Sequence, residues 1–534
     1  MHWADVIAER LLERGGHHKI ASGTSISGQP HIGSAADVIF ADIIARAVID
    51  KGGEAEVIWI KDDMDPLRSV PRQIPPEFEE HLGKPVCDLP DIEGEPYVDH
   101  FVKPFLEGLN KVGVHPVQVS GSEIYLGGQA VDLVRMALEK APEVRIILEE
   151  VSGSKRPDDW LPFQAVCENC GRIATTKAYA TDDEGRVLYR CEGGVAGKRR
   201  IEGCGHEGVA ELDQGKLTWR LDWAARWKLL GITCEPFGKD HAAAGGSWDT
   251  ASVIIERIFD YPKPIPLEYE HFMVEGGKMS KSKGNIVTLA EMLETVPPEV
   301  VRYVLARTDP MKHKDFDWAK IPQLMEEFER VERIYYGREE PAPREDPGDM
   351  RRLYELSLVS MPPMKSLVQV PYGHLLTLVQ LYPDHDHLIA ALRRTGELPE
   401  EDPEGHLERI RSKANNARAW IRDFAPEAMR FSVFDELSRE TRDMLSVEQR
   451  TYLSALAKAL ETVAWDGESV QDVVFNLSKE VGLKPRDAFG AIYISILGRQ
   501  RGPRAGFFLA SMDREWVVAR FREAGTGSNS TGTN

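Results

Sequence analysis

The chain opens with Trp3, Val6, Ile7, Leu11 and Leu12 at near-helical spacing, and Gly15-Gly16 closes the run, so a leading helix is expected. The period then changes. The stretch KIASGTSISGQPHIGSAADVIFADIIARAVIDKGGEAEVIWIKDD reads as a short strand, a loop of Gly, Ser and Pro, and a helix from about Gly33 to Asp50. A Gly-Gly stop and an apolar strand at Val57 to Ile60 complete it. Strand, loop, helix and strand of these lengths make a parallel βαβ unit. Ligands of such sheets bind at the carboxyl ends of the strands, where this loop lies.

From about Leu126 to Gly215 the pattern becomes a charged helix followed by a patch rich in cysteine and glycine. Beyond Lys216 the earlier alternation resumes, and GITCEPFGKDHAAAGGSWDTASVIIERIF reads as another strand, loop and helix. The middle region is therefore expected to be an insertion between two halves of one parallel sheet. After about Ile286 the chain reads as mostly helical, with Pro-rich breaks at 340–347, 361–363 and 398–403 that suit linkers. There is no internal repeat, and only the closing GTGSNSTGTN is of low complexity and expected to be disordered.

At 534 residues and 42% apolar content the chain can bury a sizeable core, in roughly three domains at the usual domain size. No uninterrupted apolar run approaches the 18 or so residues of a membrane span, and the N-terminus begins with charged residues at helical spacing. Neither membrane insertion nor secretion is expected. The net charge of -20 argues against charge-dominated DNA binding but leaves RNA open, because a local basic face can hold it. Of the six cysteines, Cys167, Cys170, Cys191 and Cys204 crowd into one segment while Cys87 and Cys234 stand alone. That distribution suits a metal site in a reducing compartment better than a disulfide framework, and a cytoplasmic protein is expected.

Two segments carry phosphate chemistry. In GQPHIGSAAD, His31 sits on a glycine-containing loop just ahead of a helix N-terminus, where it either caps the helix or donates to a phosphate oxygen. Gly33 would let a nucleotide approach closely. In GGKMSKSKGN, at 276–285, three lysines and two serines share a glycine-flanked loop, a composition suited to a clamp that closes on a triphosphate. In VCENCGRI the C-x-x-C spacing lets Cys167 and Cys170 meet one tetrahedral ion. Cys191 and Cys204 complete the set, with His206 as an alternative fourth ligand, and one structural zinc is expected.

The pair HIGS and KMSKS, in this order across a split α/β domain, resembles the two signatures of class I aminoacyl-tRNA synthetases. The resemblance implies a Rossmann-type parallel sheet split by a zinc-containing insertion and followed by α-helical C-terminal domains. The expected boundaries are 1–125 and 216–290 for the halves of the catalytic domain, with the insertion at 126–215 between them. A stem-contact region at 291–345, an anticodon-binding region at 346–525 and a tail at 526–534 would follow. It further implies ATP as substrate, with Mg2+. By the match, His31, Gly33 and Ser34 would meet the phosphates, while Lys278 and Lys281 stabilise the leaving pyrophosphate. Met279, Ser280 and Ser282 would share that ATP-binding loop, and Gly238 and Asp240 would lie near the ribose. One position departs from the pattern: the usual final histidine of HIGH is Ser34 here.

Within the class, longer strings are similar to the class I lysyl-tRNA synthetases. They are HWADVIAER, ASGTSISGQPHIG, WIKDDMDPLRSVP, LTWRLDWAARW, EPFGKDHAAAGGSWDT, YEHFMVEGGKMSKSKGN and GRQRGPRAGFF. The implied partners are L-lysine and tRNA(Lys), and a monomer is expected. A lysine pocket requires an anionic or strongly polar group for the ε-ammonium and aromatic walls for the stem. Asp37 would supply the first, with Trp219, His241 and Tyr269 at matching pocket positions and Gly23 and Ser25 giving loop contacts. Asp62, Asp65 and Arg68 suit either an ion-pair network or substrate contact. A class I synthetase for another amino acid, such as glutamate, and a non-catalytic tRNA-binding relative remain the alternatives. Asp37 counts against the first, and His31, Lys278 and Lys281 count against the second.

Overall fold

The computed structural model describes residues 1–275, 277–278, 286–399, 401 and 405–526, with only the backbone of Gly277 and Lys278. The chain divides into two compact units, one of residues 1–293, 298–317 and 337–362, the other of 294–297, 318–336 and 363–534.

The first unit is built on a five-stranded parallel sheet. Its strands are β1 (His17–Ser25), β2 (Glu54–Asp62), β3 (Val117–Ser120), β4 (Ile232–Gly238) and β5 (Ile265–Tyr269), in spatial order β5-β4-β1-β2-β3. Every neighbouring pair is parallel. Strand order reverses between β1 and β4, and such a switch point opens a crevice at the carboxyl ends of the strands. Helix α1 (Trp3–Arg14) precedes β1, and α2 (Ile32–Asp50) returns the chain from β1 to β2. α2 is apolar almost all round, and Ile32, Val38, Ile39, Ile43, Ile44 and Val48 are buried. Such a helix belongs in a core. Helix α3 (Tyr97–Lys111) lies between β2 and β3 in the chain; α4 (Trp219–Leu230) and α5 (Ser247–Arg257) flank β4.

Between β3 and α4 the chain leaves the sheet. After three helices between Gly121 and Ser152, the short strands Phe163–Ala165 and Gly215–Leu217 pair antiparallel and close the insertion at its base. Within it, Thr176–Thr181, Val187–Cys191 and Glu207–Ala210 form a small antiparallel sheet. The glycines there permit close backbone approaches: a Cβ on Gly203 would stand 2.0 Å from the Cys191 carbonyl oxygen.

The second unit is helical. Its core joins Tyr452, Leu453 and Leu456 to Val470, Ile492, Phe508 and Phe521. The 18-residue helix His406–Asp423 buries Trp420, whose indole donates to the Trp318 carbonyl at 2.7 Å. From 527 onward the closing segment lies outside the described residues.

Candidate active site

β1 delivers its loop to the switch point, and α2 starts there. His31 is the N-cap of α2: its Nδ1 accepts from the backbone N–H of Gly33 at 3.0 Å and of Ser34 at 3.3 Å. A neutral imidazole that accepts at one nitrogen carries its proton on the other. Capping therefore sets the tautomer that presents Nε2–H as a donor, beside first-turn amides and a helix dipole that favour anions. Capping and phosphate binding, alternatives when read from the sequence, are compatible in one residue.

A cavity of about 330 Å³ fills the crevice. It is lined by Gly23 from β1, His31, Gly33, Ser34 and Asp37 from the turn and first turns of α2, and Trp219 from α4. Gly238, Asp240 and His241 join from the end of β4, and Tyr269 from the end of β5. These residues are scattered over nearly 250 positions of sequence, and the sheet brings them to one wall. Ser25, the last residue of β1, does not line the cavity.

One side of the cavity is aromatic. Trp219 stacks on Trp223, with centroids 5.4 Å apart and planes 14° from parallel, and His241 tilts against both at 5.9 and 5.4 Å. Behind them Trp227, Phe237 and Trp248 close the cluster, and across the cavity Tyr269 packs on Phe40 at 5.0 Å. Burial pushes the His241 pKa down, so its ring is neutral near pH 7.

Asp37 faces this wall from α2 without serving as a cap. Its Oδ1 is buried with no hydrogen-bond partner. Burial first, and repulsion by Glu235 second, hold its carboxyl well above the usual carboxylate range. An unpaired buried carboxylate is costly, and an ammonium offered by a ligand would relieve that cost.

Trp223, Arg226, Glu235 and His271, not singled out in the sequence as site residues, also line the cavity. The available signal was Glu235, a charge inside the otherwise apolar strand ITCEPFG. Asp62, Asp65 and Arg68, left open between two roles, belong to an ion-pair network. Arg226 pairs with Asp222 at 2.7 Å and with Asp62, and Lys216 pairs with Asp65 at 2.7 Å and Asp222 at 3.0 Å. Tyr125 donates to Asp222 at 2.8 Å, and exposed Arg68 reaches Asp65 at 3.3 Å. Asp62 and Arg226 also line the cavity, so the network forms part of its floor.

In the insertion, Cys167, Cys170, Cys191 and Cys204 place their sulfurs within 4.8 Å of one another. Cys167 and Cys204 are 3.6 Å apart, and Cys170 and Cys191 are 3.7 Å apart. Four thiolates about 2.3 Å from a tetrahedral ion would stand about 3.8 Å from each other, so the cluster could hold a metal ion as it stands. His206 turns instead to Glu168, its Nε2 2.6 Å from the carboxylate.

The lysine-rich segment follows β5. Lys278 pairs through its backbone with Met273, whereas its side chain and all of Met279, Ser280, Lys281 and Ser282 lie outside the described residues. Just past that segment, the carbonyl of Val287 accepts from the Ile32 N–H at 2.8 Å. The stretch that follows the lysine-rich segment is thus tied to the start of α2.

A family model described as tRNA synthetases class I (K) matches residues 1–360. The chain belongs to the class I tRNA synthetases of that family. A second family model, described as an anticodon binding domain, matches residues 394–525 of the synthetase. The synthetase is 40% identical to a lysine–tRNA ligase of Archaeoglobus fulgidus, over 98% of this chain and 100% of that one. It is 38% identical to lysine–tRNA ligase 1 of Methanosarcina acetivorans, over 98% and 99% of the two chains. The corresponding ligase of Methanosphaera stadtmanae is 36% identical, with 98% and 99% covered.

The helical unit of the synthetase has a cavity of its own, about 550 Å³, between helix Tyr372–Leu381 and the segment 499–508. Arg504 lies over the Phe507 ring at 4.6 Å and Arg499 over the Phe431 ring at 5.9 Å. His374 Nε2 and Glu397 Oε2 meet at 3.3 Å on its wall. Planar rings beside fixed guanidinium groups are the surfaces on which unpaired bases stack. No helix among the described residues is long and apolar enough to cross a membrane.

Proposed function

We propose that this synthetase joins L-lysine to tRNA(Lys). The lysine carboxylate attacks the α-phosphate of ATP to give lysyl-adenylate and pyrophosphate, and the 3'-terminal adenosine of the tRNA then takes the lysyl group. The observation that carries the amino-acid assignment is Asp37, a buried carboxylate without a partner on an aromatic cavity. It would pair with the ε-ammonium, while the four-carbon stem lies along Trp219 and His241 with Tyr269 opposite. Gly23 would meet the amino acid from the carboxyl end of β1. A glutamate-specific pocket would need a cation where Asp37 and Glu235 stand.

His31 Nε2–H, with the amides of Gly33 and Ser34 behind it, would hold the ATP phosphates, and Gly238 and Asp240 the adenosine. This chemistry needs positioning and charge stabilisation rather than a covalent nucleophile. Lys278 and Lys281 would neutralise charge as pyrophosphate departs, with Met279, Ser280 and Ser282 in the same loop. Mg2+ bound to ATP would share that charge. For the cysteine cluster, zinc is the ion that four thiolates at this spacing suit, and its role would be structural. The helical unit would bind the anticodon arm, using the Phe431 and Phe507 surfaces. Free thiols and a translation role suit a cytoplasmic enzyme.

ATP–pyrophosphate exchange measured with each of the twenty standard amino acids, with tRNA present, tests the assignment. Exchange with lysine alone is expected. Exchange driven by glutamate, or none with lysine, would overturn it.

A further inference from the structure

The cavity holds more negative charge than one aspartate needs to explain. Glu235 is 5% exposed, lies on β4 and lines the same wall as Asp37. Two indoles of α4 fix its carboxylate: Oε1 accepts from Trp223 Nε1 at 2.9 Å and Oε2 from Trp227 Nε1. An acid with both oxygens accepting is not interchangeable with an amide, since a glutamine would turn its NH2 toward one of the indole N–H groups. Trp223 in turn stacks on Trp219. The carboxylate is therefore rigidly mounted behind the aromatic face of the cavity.

The neighbouring charges do not neutralise it. Asp62, Asp65 and Asp222 are matched by Lys216, Arg226 and Arg68, three against three, and each of those cations is committed to an aspartate at salt-bridge distance. Of the other groups facing the cavity, His31 accepts two backbone N–H groups, His241 is held neutral by burial, and His271 pairs with Asp240 at 3.2 Å. Neither Asp37 nor Glu235 has an ion pair among the described residues. Two buried carboxylates on one cavity wall, with the lining Arg226 committed to Asp62 and Asp222, cannot both ionise at little cost, so one proton is retained between them. Consistent with this, burial raises the Glu235 pKa to about 7, and Glu235 in turn pushes Asp37 upward.

We propose that Glu235 is a second acidic determinant of lysine recognition, forming with Asp37 a carboxylate pair that keeps a proton in the free enzyme and releases it to solvent when the ε-ammonium binds. The inference rests on the lysine reading above. In its terms the ammonium takes the place of the proton as the cavity's counter-charge, so affinity is coupled to pH. A side chain without a cation, such as that of norleucine, cannot displace the proton and binds without releasing it. Glu235 thereby adds to the discrimination between lysine and its neutral isosteres.

The test is isothermal titration of the full-length enzyme with lysine, in buffers of differing ionisation enthalpy, from pH 6 to pH 8.5. The expected result is release of close to one proton per lysine at pH 6, falling toward none at pH 8.5. The dissociation constant should improve by roughly tenfold per pH unit at the acid end. Glu235→Gln should weaken lysine binding and flatten that pH dependence. Asp37→Asn, which removes the other member of the pair, should also reduce proton release, so the idea stands or falls even if Glu235→Gln does not fold. A purely structural Glu235 would instead lower the affinity for lysine and norleucine equally and leave the pH dependence unchanged, which would overturn the proposal. Tight lysine binding with no buffer-dependent heat at any pH would overturn it too, while leaving the lysine assignment intact. Absence of lysine binding altogether would remove both.

Discussion

At the scale of single residues, Asp37 and His31 work through what their backbone positions prevent. Asp37 is one turn too deep in α2 to serve as a cap, so its carboxylate has only the cavity to face. Losing a buried charge-assisted contact costs roughly 2–3 kcal/mol. Asp37→Ala should therefore weaken lysine binding by on the order of 100-fold, with turnover at saturating lysine much less affected. A steady-state comparison of kcat and KM checks this, and equal loss for lysine and norleucine would show that Asp37 is only structural. For Lys281→Ala the opposite split is expected, with slower adenylate formation at nearly unchanged lysine affinity, as measured by pre-steady-state quench. The HIGS histidine and Asp37 were legible because a loop, a cap and a helix fix their spacing locally. Glu235 was not, because a single charge in a strand shows its surroundings only once α4 has packed two indoles against it.

The titration of Glu235 also has a stability consequence. Its folded pKa of about 7 lies above the ordinary 4.5, so between those values the folded state binds more protons than the unfolded one. The group's contribution to stability is fully present below about pH 4.5 and is lost as pH rises through about 7. The difference in melting temperature between wild type and Glu235→Gln should therefore shift against the wild type from pH 5 to pH 8 in the absence of ligand, and saturating lysine should reverse the shift.

At the scale of elements, the βαβ unit and the strand–loop–helix around β4 were legible because parallel strands and their crossovers carry continuous apolar runs. The side chains that join them were not. Lys216 and Asp65 are 151 residues apart, and no local pattern pairs them. Together with Arg226, Asp62 and Asp222 they lock the base of the insertion and α4 to the end of β2. Removing one member of a buried pair leaves the other uncompensated, so Arg226→Ala should cost about 3–5 kcal/mol in denaturant unfolding. Arg226→Met is the milder change in volume but leaves Asp62 and Asp222 equally unpaired, and a loss well under 1 kcal/mol for both variants would show the network to be dispensable. The cysteine cluster was legible from its first C-x-x-C. The choice of Cys204 over His206 as the nearest fourth donor needed the strand pairing that carries His206 toward Glu168. Near-stoichiometric zinc is expected in protein purified without added metal, and Cys167→Ser should lower both zinc content and melting temperature.

At the scale of the whole molecule, the chain passes between its two units more than once. The Pro-rich break at 361–363 coincides with one handover, whereas 318–336 joins the helical unit by contacts that no composition shift announces. The helical character after Ile286 was plain from periodicity, but the cavity beside Phe507 arises from segments more than a hundred residues apart. Base stacking on an aromatic side chain contributes about 1–3 kcal/mol. Phe507→Ala should accordingly weaken tRNA affinity by about 5- to 100-fold in filter binding, while lysine-dependent pyrophosphate exchange at saturating tRNA stays close to wild type. An equal loss in both assays would place Phe507 in the packing of the unit rather than on an RNA surface.

Which amino acid reaches the tRNA is the central question. Incubating the enzyme with ATP, unfractionated tRNA and all twenty amino acids, then releasing and identifying the esterified amino acid, reads this directly. Lysine alone, attached to tRNA(Lys), is the predicted product; a different amino acid, or no acylated tRNA, would contradict it.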